Sequence, residues 1–215
     1  TQRLSPVQVN LPDGARAVQV ELGEDTSCAI LTNGTLMCWG EGDNGQLGTG
    51  AATDSLIPVS VTLPPAASVI DVAMEEKHGC LLLDNGSVMC WGRGYGVIGD
   101  GWYTDLDEPT SVDLPAERYV IDISVGRGHS CVLLDNGSAM CWGVSAHGRL
   151  GIASYAQYND RHYSQVPEAP PTYVSLPADR RAVAISTGCV ILSDGDLMCW
   201  GEGDGRLGDV DGGDL

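Results

Sequence analysis

Eight cysteines, four histidines and a recurring Trp-Gly are the residues of this chain whose types and spacing could do chemistry. The cysteines fall into pairs with the same spacing: Cys28 and Cys38, Cys80 and Cys90, Cys131 and Cys141, Cys189 and Cys199. Thiols placed this way could hold a metal, stay reduced in a core, or oxidise pairwise. The gap within each pair is too long for zinc-ligand spacing and no histidine accompanies every pair, so no metal is assigned. Register decides between the other two. Each pair brackets a turn, "TNGT" in the first case. A two-residue Asn-Gly turn would set Cys28 opposite Trp39 and leave Cys38 on the other face. A three-residue loop, with Gly34 left-handed in a bulge, pairs Leu31 with Thr35 and sets Cys28 opposite Cys38. Opposed residues of a non-hydrogen-bonded pair are close enough for a cross-strand disulfide, worth about 3 kcal/mol for so small a loop. Four bridges without an odd cysteine imply an oxidising compartment, and buried free thiols are the alternative.

The elements that must position these pairs also repeat. "CAILTNGTLMCWG", "CLLLDNGSVMCWG", "CVLLDNGSAMCWG" and "CVILSDGDLMCWG" start at Cys28, Cys80, Cys131 and Cys189, at intervals of 52, 51 and 58 residues. Such periods belong to propeller blades. An alternating apolar run precedes each one: Val18, Val20, Leu22; Ile70, Val72, Met74; Ile121, Ile123, Val125; Val183, Ile185. Before that, a second run ends in Leu-Pro: "PVQVNLP", "PVSVTLP", "TSVDLP", "TYVSLP". Period-two patterns punctuated by Pro and Gly predict four short antiparallel strands per unit, here lettered A to D, and no long helix. The expected architecture is all-β, a single β-propeller domain over 1–215 with units near 5–54, 55–108, 109–170 and 171–215.

The segments "HSCVLLDNGSAMCWGVSAHGRLG" and "SCAILTNGTLMCWGEGDNGQLG" resemble the repeat of the regulator of chromosome condensation family. The resemblance runs through all four units. It implies a β-propeller, which in that family usually has seven blades. The cysteine pair in each unit is a departure that looks like secreted bacterial and protist members. Known activities in the family include nucleotide exchange on a small GTPase, chromatin binding and enzyme inhibition. They reside in variable face loops, so none transfers residue by residue.

The ends of the chain look complementary. It opens on an A strand in "RLSPVQVNLP" and stops after "GRLGDVDGGDL", where the next A strand is due. Closure within the chain or with another copy is expected, and the sequence leaves the two open. The start at Thr1, without a signal peptide, suggests a processed form or part of a longer product.

Several motifs carry less than they suggest. "GYGVIG" and "GDGRLG" match a dinucleotide-binding glycine pattern but fall at one repeat position, as turns between blades, so no cofactor is assigned. His78 and His129 share a repeat position, which suits a structural role better than catalysis. The acids of "DVDGGD" lack the spacing of a complete calcium loop. No nucleophile motif or carboxylate pair stands out, and the chain is read as a non-enzyme. Asn33, Asn85 and Asn136 open Asn-Gly-Thr or Asn-Gly-Ser and are N-glycan candidates, although the turn itself favours Asn-Gly. The D–A loops vary most. They carry Trp102 and Tyr103 in one blade, and Tyr155, Tyr158, Arg161, His162 and Tyr163 in the next. Aromatic residues and an arginine on variable loops suit contact with a protein or a glycan.

Composition sets the outer limits. With 29 acidic and 11 basic residues the net charge is -18, which repels phosphate backbones and disfavours nucleic acid. No apolar run approaches the roughly 20 residues of a membrane span. The sequence therefore reads as an acidic, extracellular, disulfide-stapled propeller that binds a protein or other copies of itself. It could serve as a structural subunit of an extracellular assembly or filament; the alternative is a lectin-like propeller that stacks sugars on its loop aromatics.

Overall fold

The computed structural model describes residues 4–94, 96, 99, 104–153 and 168–201. The chain folds into four antiparallel sheets, each built on one Cys-to-Trp-Gly hairpin. In the first, β1 (Ala17–Leu22), β2 (Thr26–Leu31), β3 (Leu36–Gly40) and β4 (Ser55–Ser60) lie side by side in chain order. The second repeats this with β5 (Val69–Glu75), β6 (His78–Leu83), β7 (Val88–Gly92) and β8 (Leu106–Ser111). The third has β9 (Val120–Gly126), β10 (His129–Leu134), β11 (Ala139–Val144) and β12 (Glu168–Tyr173). Among the described residues the fourth has β13 (Ala182–Ser186), β14 (Cys189–Leu192) and β15 (Leu197–Cys199). A short 3-10 turn spans Ala146–Gly148.

The sheets are offset by one strand from the sequence repeats. Strand A pairs with strand D of the unit before it, as β4 does with β3. Each blade is thereby tied to its successor by chain connectivity as well as by packing. The segment 5–11, which has the composition of an A strand, is not a strand here, and Leu4, Val7 and Val9 are exposed.

The hairpin loops set the register that the bridges need. Leu31 N–H donates to Thr35 O at 2.8 Å, Gly34 adopts φ +78°, and Asn33 Oδ1 accepts the Thr35 N–H at 3.1 Å. The three-residue loop recurs in each blade, with Gly86, Gly137 and Gly195 also at positive φ. It sets each cysteine opposite its partner, and all four disulfides form, with Cα separations of 4.0 to 4.1 Å. The glycine of Trp-Gly has a different reason. Gly40, Gly92 and Gly143 have positive φ, and a Cβ on them would fall 2.2, 2.3 and 2.6 Å from the carbonyl oxygens of Asp25, Lys77 and Gly128. Only glycine lets strand D approach the B–C turn that closely.

The cores lie between blades. One face of blade 1 (Cys28, Ile30, Leu36, Cys38) packs on the opposite face of blade 2 (Val69, Val72, Leu81, Trp91). The pattern repeats between blades 2 and 3 and between blades 3 and 4. Three of the disulfides are thus buried where two sheets meet. Tryptophans join the same junctions: Trp91 Nε1 donates to Gln46 O and Trp200 Nε1 to Arg149 O, each across blades at 2.9 Å. The first strands of neighbouring blades contact one another in sequence, β1 with β5, β5 with β9 and β9 with β13.

Candidate interaction face

Two surfaces emerge at opposite ends of the strands. The first holds the Asn-Gly tips. Asn33 and Asn85 are exposed and Asn136 half-buried, and each side chain accepts the N–H two residues on. The tips dock on the start of the next blade, with Val69 N–H donating to Gly34 O at 3.0 Å and Ala182 N–H to Gly137 O at 2.8 Å. Arg118 pairs with Asp135 here at 3.9 Å, and Arg180 bridges Asp194 and Asp196.

The second surface is formed by the B–C turns and the starts of the D–A loops. Residues at matching repeat positions differ sharply in charge there. Blade 1 presents Glu24, Asp25 and Glu41; the same positions in blade 2 are Glu76, Lys77 and Arg93; in blade 3 they are Arg127, Gly128 and Val144. Gln46 of blade 1 corresponds to Arg149 of blade 3. A cleft of about 230 Å³ opens between blades 2 and 3, lined by Glu75, Glu76, Lys77, His78, Arg93, Arg127, Gly128 and Val144. Arg127 Nε lies 3.3 Å from Glu76 Oε2, and the Arg149 guanidinium donates to the carbonyls of Arg127 and Ala146 at 2.9 and 3.0 Å.

Two imidazoles sit beneath this surface. His78 Nε2 is 3.3 Å from Ser130 Oγ. Burial, reinforced by neighbouring His129, lowers its pKa to about 3. Burial and then the nearby Arg149 charge lower that of His129 to about 4, against a partial offset from the Arg127 backbone. Both rings are neutral near pH 7, filling the junction between blades rather than facing solvent. Among the described residues no group of three or more His, Cys, Asp or Glu is arranged to hold a metal ion, and no helix is long and apolar enough to cross a membrane.

Of the sites expected from sequence, the structure forms the eight-cysteine set as four bridges. Trp102, Tyr103, Tyr155, Tyr158, Arg161, His162 and Tyr163 lie outside the described residues. The contrast between the acidic turn of blade 1 and the turns of blades 2 and 3, which bring Lys77, Arg93 and Arg127, has no signature in the strand repeat. Its signal lies in the turn residues, at fixed offsets from each first cysteine and each Trp-Gly.

Family models described as the regulator of chromosome condensation (RCC1) repeat match residues 17–46 and 120–149, and residues 33–82. The chain is 26% identical over 211 residues to the ultraviolet-B receptor UVR8 of Arabidopsis thaliana, covering 95% of this chain and 46% of the receptor. It is 31% identical over 204 residues to the E3 ubiquitin-protein ligase HERC2 of Mus musculus, covering 91% of this chain and 4% of the ligase. Among solved structures it superposes on human WBSCR16 with a TM-score of 0.77 at 22% identity, covering 93% of this chain and 51% of that one. For Prp20p of Saccharomyces cerevisiae the TM-score is 0.76 at 22% identity, covering 93% and 48%. The chain thus spans about half the length, or far less, of the proteins it matches. It is built from β-propeller repeats of the regulator of chromosome condensation type, and each of its four blades carries one disulfide.

Proposed function

We propose that this chain is a secreted, non-enzymatic propeller module that presents its faces to a protein partner or to other copies of itself in an extracellular assembly. The observation that carries the reading is the bridge in every blade. Each one closes the same hairpin, and disulfides persist in oxidising compartments. Protein binding is supported by likeness to Prp20, whose solved structures are described as bound to Kap60 and in terms of binding to Gsp1p and histones. Those partners are not carried over. A net charge of -18 disfavours nucleic acid as the ligand.

The test is alkylation of the native protein followed by mass measurement, with and without prior reduction, alongside native mass and partner capture from the extracellular medium of the source. The expected result is no alkylated cysteine before reduction and eight after it, with the protein in a larger complex. Eight reactive thiols in the native material would remove the compartment argument. Enzymatic release of N-glycans from material made in a glycosylating host tests Asn33, Asn85 and Asn136 by mass. The sugar-binding reading rests on Trp102 and the loop tyrosines, and glycan-array binding abolished by Trp102→Ala would favour it.

A further inference from the structure

We propose that the cleft between blades 2 and 3 is an acceptor site for an acidic peptide segment, gripping partner carboxylates between Lys77, Arg93 and Arg127. This deepens the protein-interaction reading and rests on it. The first support is the distribution of charge. The whole chain has only 11 basic residues against 29 acidic ones, yet three basic residues line this one cleft and Arg149 joins them by donating to the Arg127 carbonyl. The matching corner of blade 1 is acidic, with Glu24, Asp25 and Glu41. The face is therefore polarised, and its basic sector coincides with its cavity.

The second support is the shape and lining of the site. At about 230 Å³ the cleft can admit one or two side chains, not a folded domain. Buried Val144 offers an apolar wall for the methylenes of a glutamate, and buried His78 adds a wall without charge. Glu75 and Glu76 also line the cleft, and Glu76 is engaged by Arg127 at 3.3 Å. Among the described residues three cations line the cleft against these two carboxylates, with Arg149 beside them on the Arg127 carbonyl. Across a few ångströms that local excess outweighs the distant acidic residues, because the field of the rest of the chain is screened beyond about 8–10 Å in physiological salt. Single carboxylates reaching into the cleft feel attraction. A long polyanion such as nucleic acid would run out over the acidic surface.

The experiment uses the full chain and a fluorescein-labelled hexaglutamate peptide, read by anisotropy, with hexalysine as the opposite-charge probe. Binding of hexaglutamate and not hexalysine is expected. It should weaken by about tenfold or more in the Lys77→Glu/Arg127→Glu double variant, as reversal of paired contact charges costs at least that much. It should also weaken as added salt shortens the Debye length toward about 3 Å. Arg118→Glu, on the tip surface, should bind as the parent does; all variants are checked by near-UV circular dichroism and by the mass of the oxidised form. Absence of hexaglutamate binding by the parent, or an equal loss in Arg118→Glu, overturns the proposal. Displacement by glutarate at matched carboxylate concentration would make the ligand a free dicarboxylate and overturn the peptide assignment. A natural partner that the double variant still captures would keep the module reading and take this cleft out of it.

Discussion

Blades 2 and 4 are written on the same template, yet they meet different surroundings. In blade 2 the hairpin strand β6 is buried on both faces, with Leu81 at 0% and Leu82 at 2% exposure. In blade 4 the matching strand β14 alternates, with Val190 at 1% and Ile191 at 45%. Leu197 is 66% exposed where its counterpart Val88 is at 2%. The same holds for the bridges, since Cys80 and Cys90 are buried between sheets while Cys189 and Cys199 are partly exposed. The repeat thus specifies a strand that is apolar on both sides, and the neighbouring blade determines whether both sides are used. Propeller stability is accordingly a property of junctions more than of single blades.

The sharpest break of this comparison is a matched pair of truncations. Leu82→Ala empties volume in the core shared by blades 2 and 3, and should cost about 2–5 kcal/mol. Ile191→Ala, at the matching position of blade 4, should cost less than about 1 kcal/mol because the side chain is half in water. Urea denaturation of both variants measures the difference. Equal losses would mean that blade 4 is covered in solution and that the two blades are equivalent.

A second difference between repeats appears at the base of the hairpin, where blade 2 has His78 and blade 1 has Thr26. The folded protein holds His78 neutral down to about pH 3, against an ordinary value of 6.5. Between those values the unfolded chain binds a proton that the folded chain refuses. The stability this neutral ring contributes is therefore fully present above about pH 6.5 and is lost as the pH falls toward 3, at up to about 1.4 kcal/mol per pH unit. His78→Thr, which installs the residue blade 1 uses, should flatten the dependence of stability on pH between those limits. An unchanged slope would show that the proton enters elsewhere, with His129 the next candidate because burial lowers it to about 4.

The difference between regions also explains what could be read in advance. The hairpin register was legible because Asn-Gly with a left-handed glycine permits few loops, and one of them aligns the cysteines. The apolar runs were legible as strands but not fully as faces. Val18, Ile70, Ile121 and Val183 fall where a bulge leaves one residue unpaired, and all are more than half exposed. Simple alternation would place Ile70 on the buried face with Val72 and Met74, and the bulge turns it out. The cleft was less legible still. Its charges come from two blades and three chain segments, and only the junction brings Lys77 and Arg93 to Arg127.

The smallest expected effect lies on the inner strands, where successive blades again differ. Gln19 on β1 donates to Asp71 Oδ1 on β5 at 2.7 Å, whereas the matching residue on β9 is Asp122, another acid. Burial raises the pKa of Glu21, with Asp71 adding to it. Burial likewise raises Asp122, opposed by the Ile185 N–H and assisted by Asp71. A carboxyl raised above its usual value favours the protonated folded form. Its contribution to stability is present below the usual value and is lost as the pH rises through the folded one. Asp71→Asn removes the shared repulsion and keeps an oxygen to accept from Gln19 and from the Val72 N–H. Both carboxyls should then titrate closer to their usual range, by shifts visible in carbon-detected NMR. Stability near pH 7 should rise by less than about 1 kcal/mol, because both groups are partly solvated and water screens the repulsion. Movement of Glu21 without Asp122 would confine the coupling to blades 1 and 2. If neither moved, burial alone would account for both shifts and the inner strands would carry no electrostatic link from blade to blade.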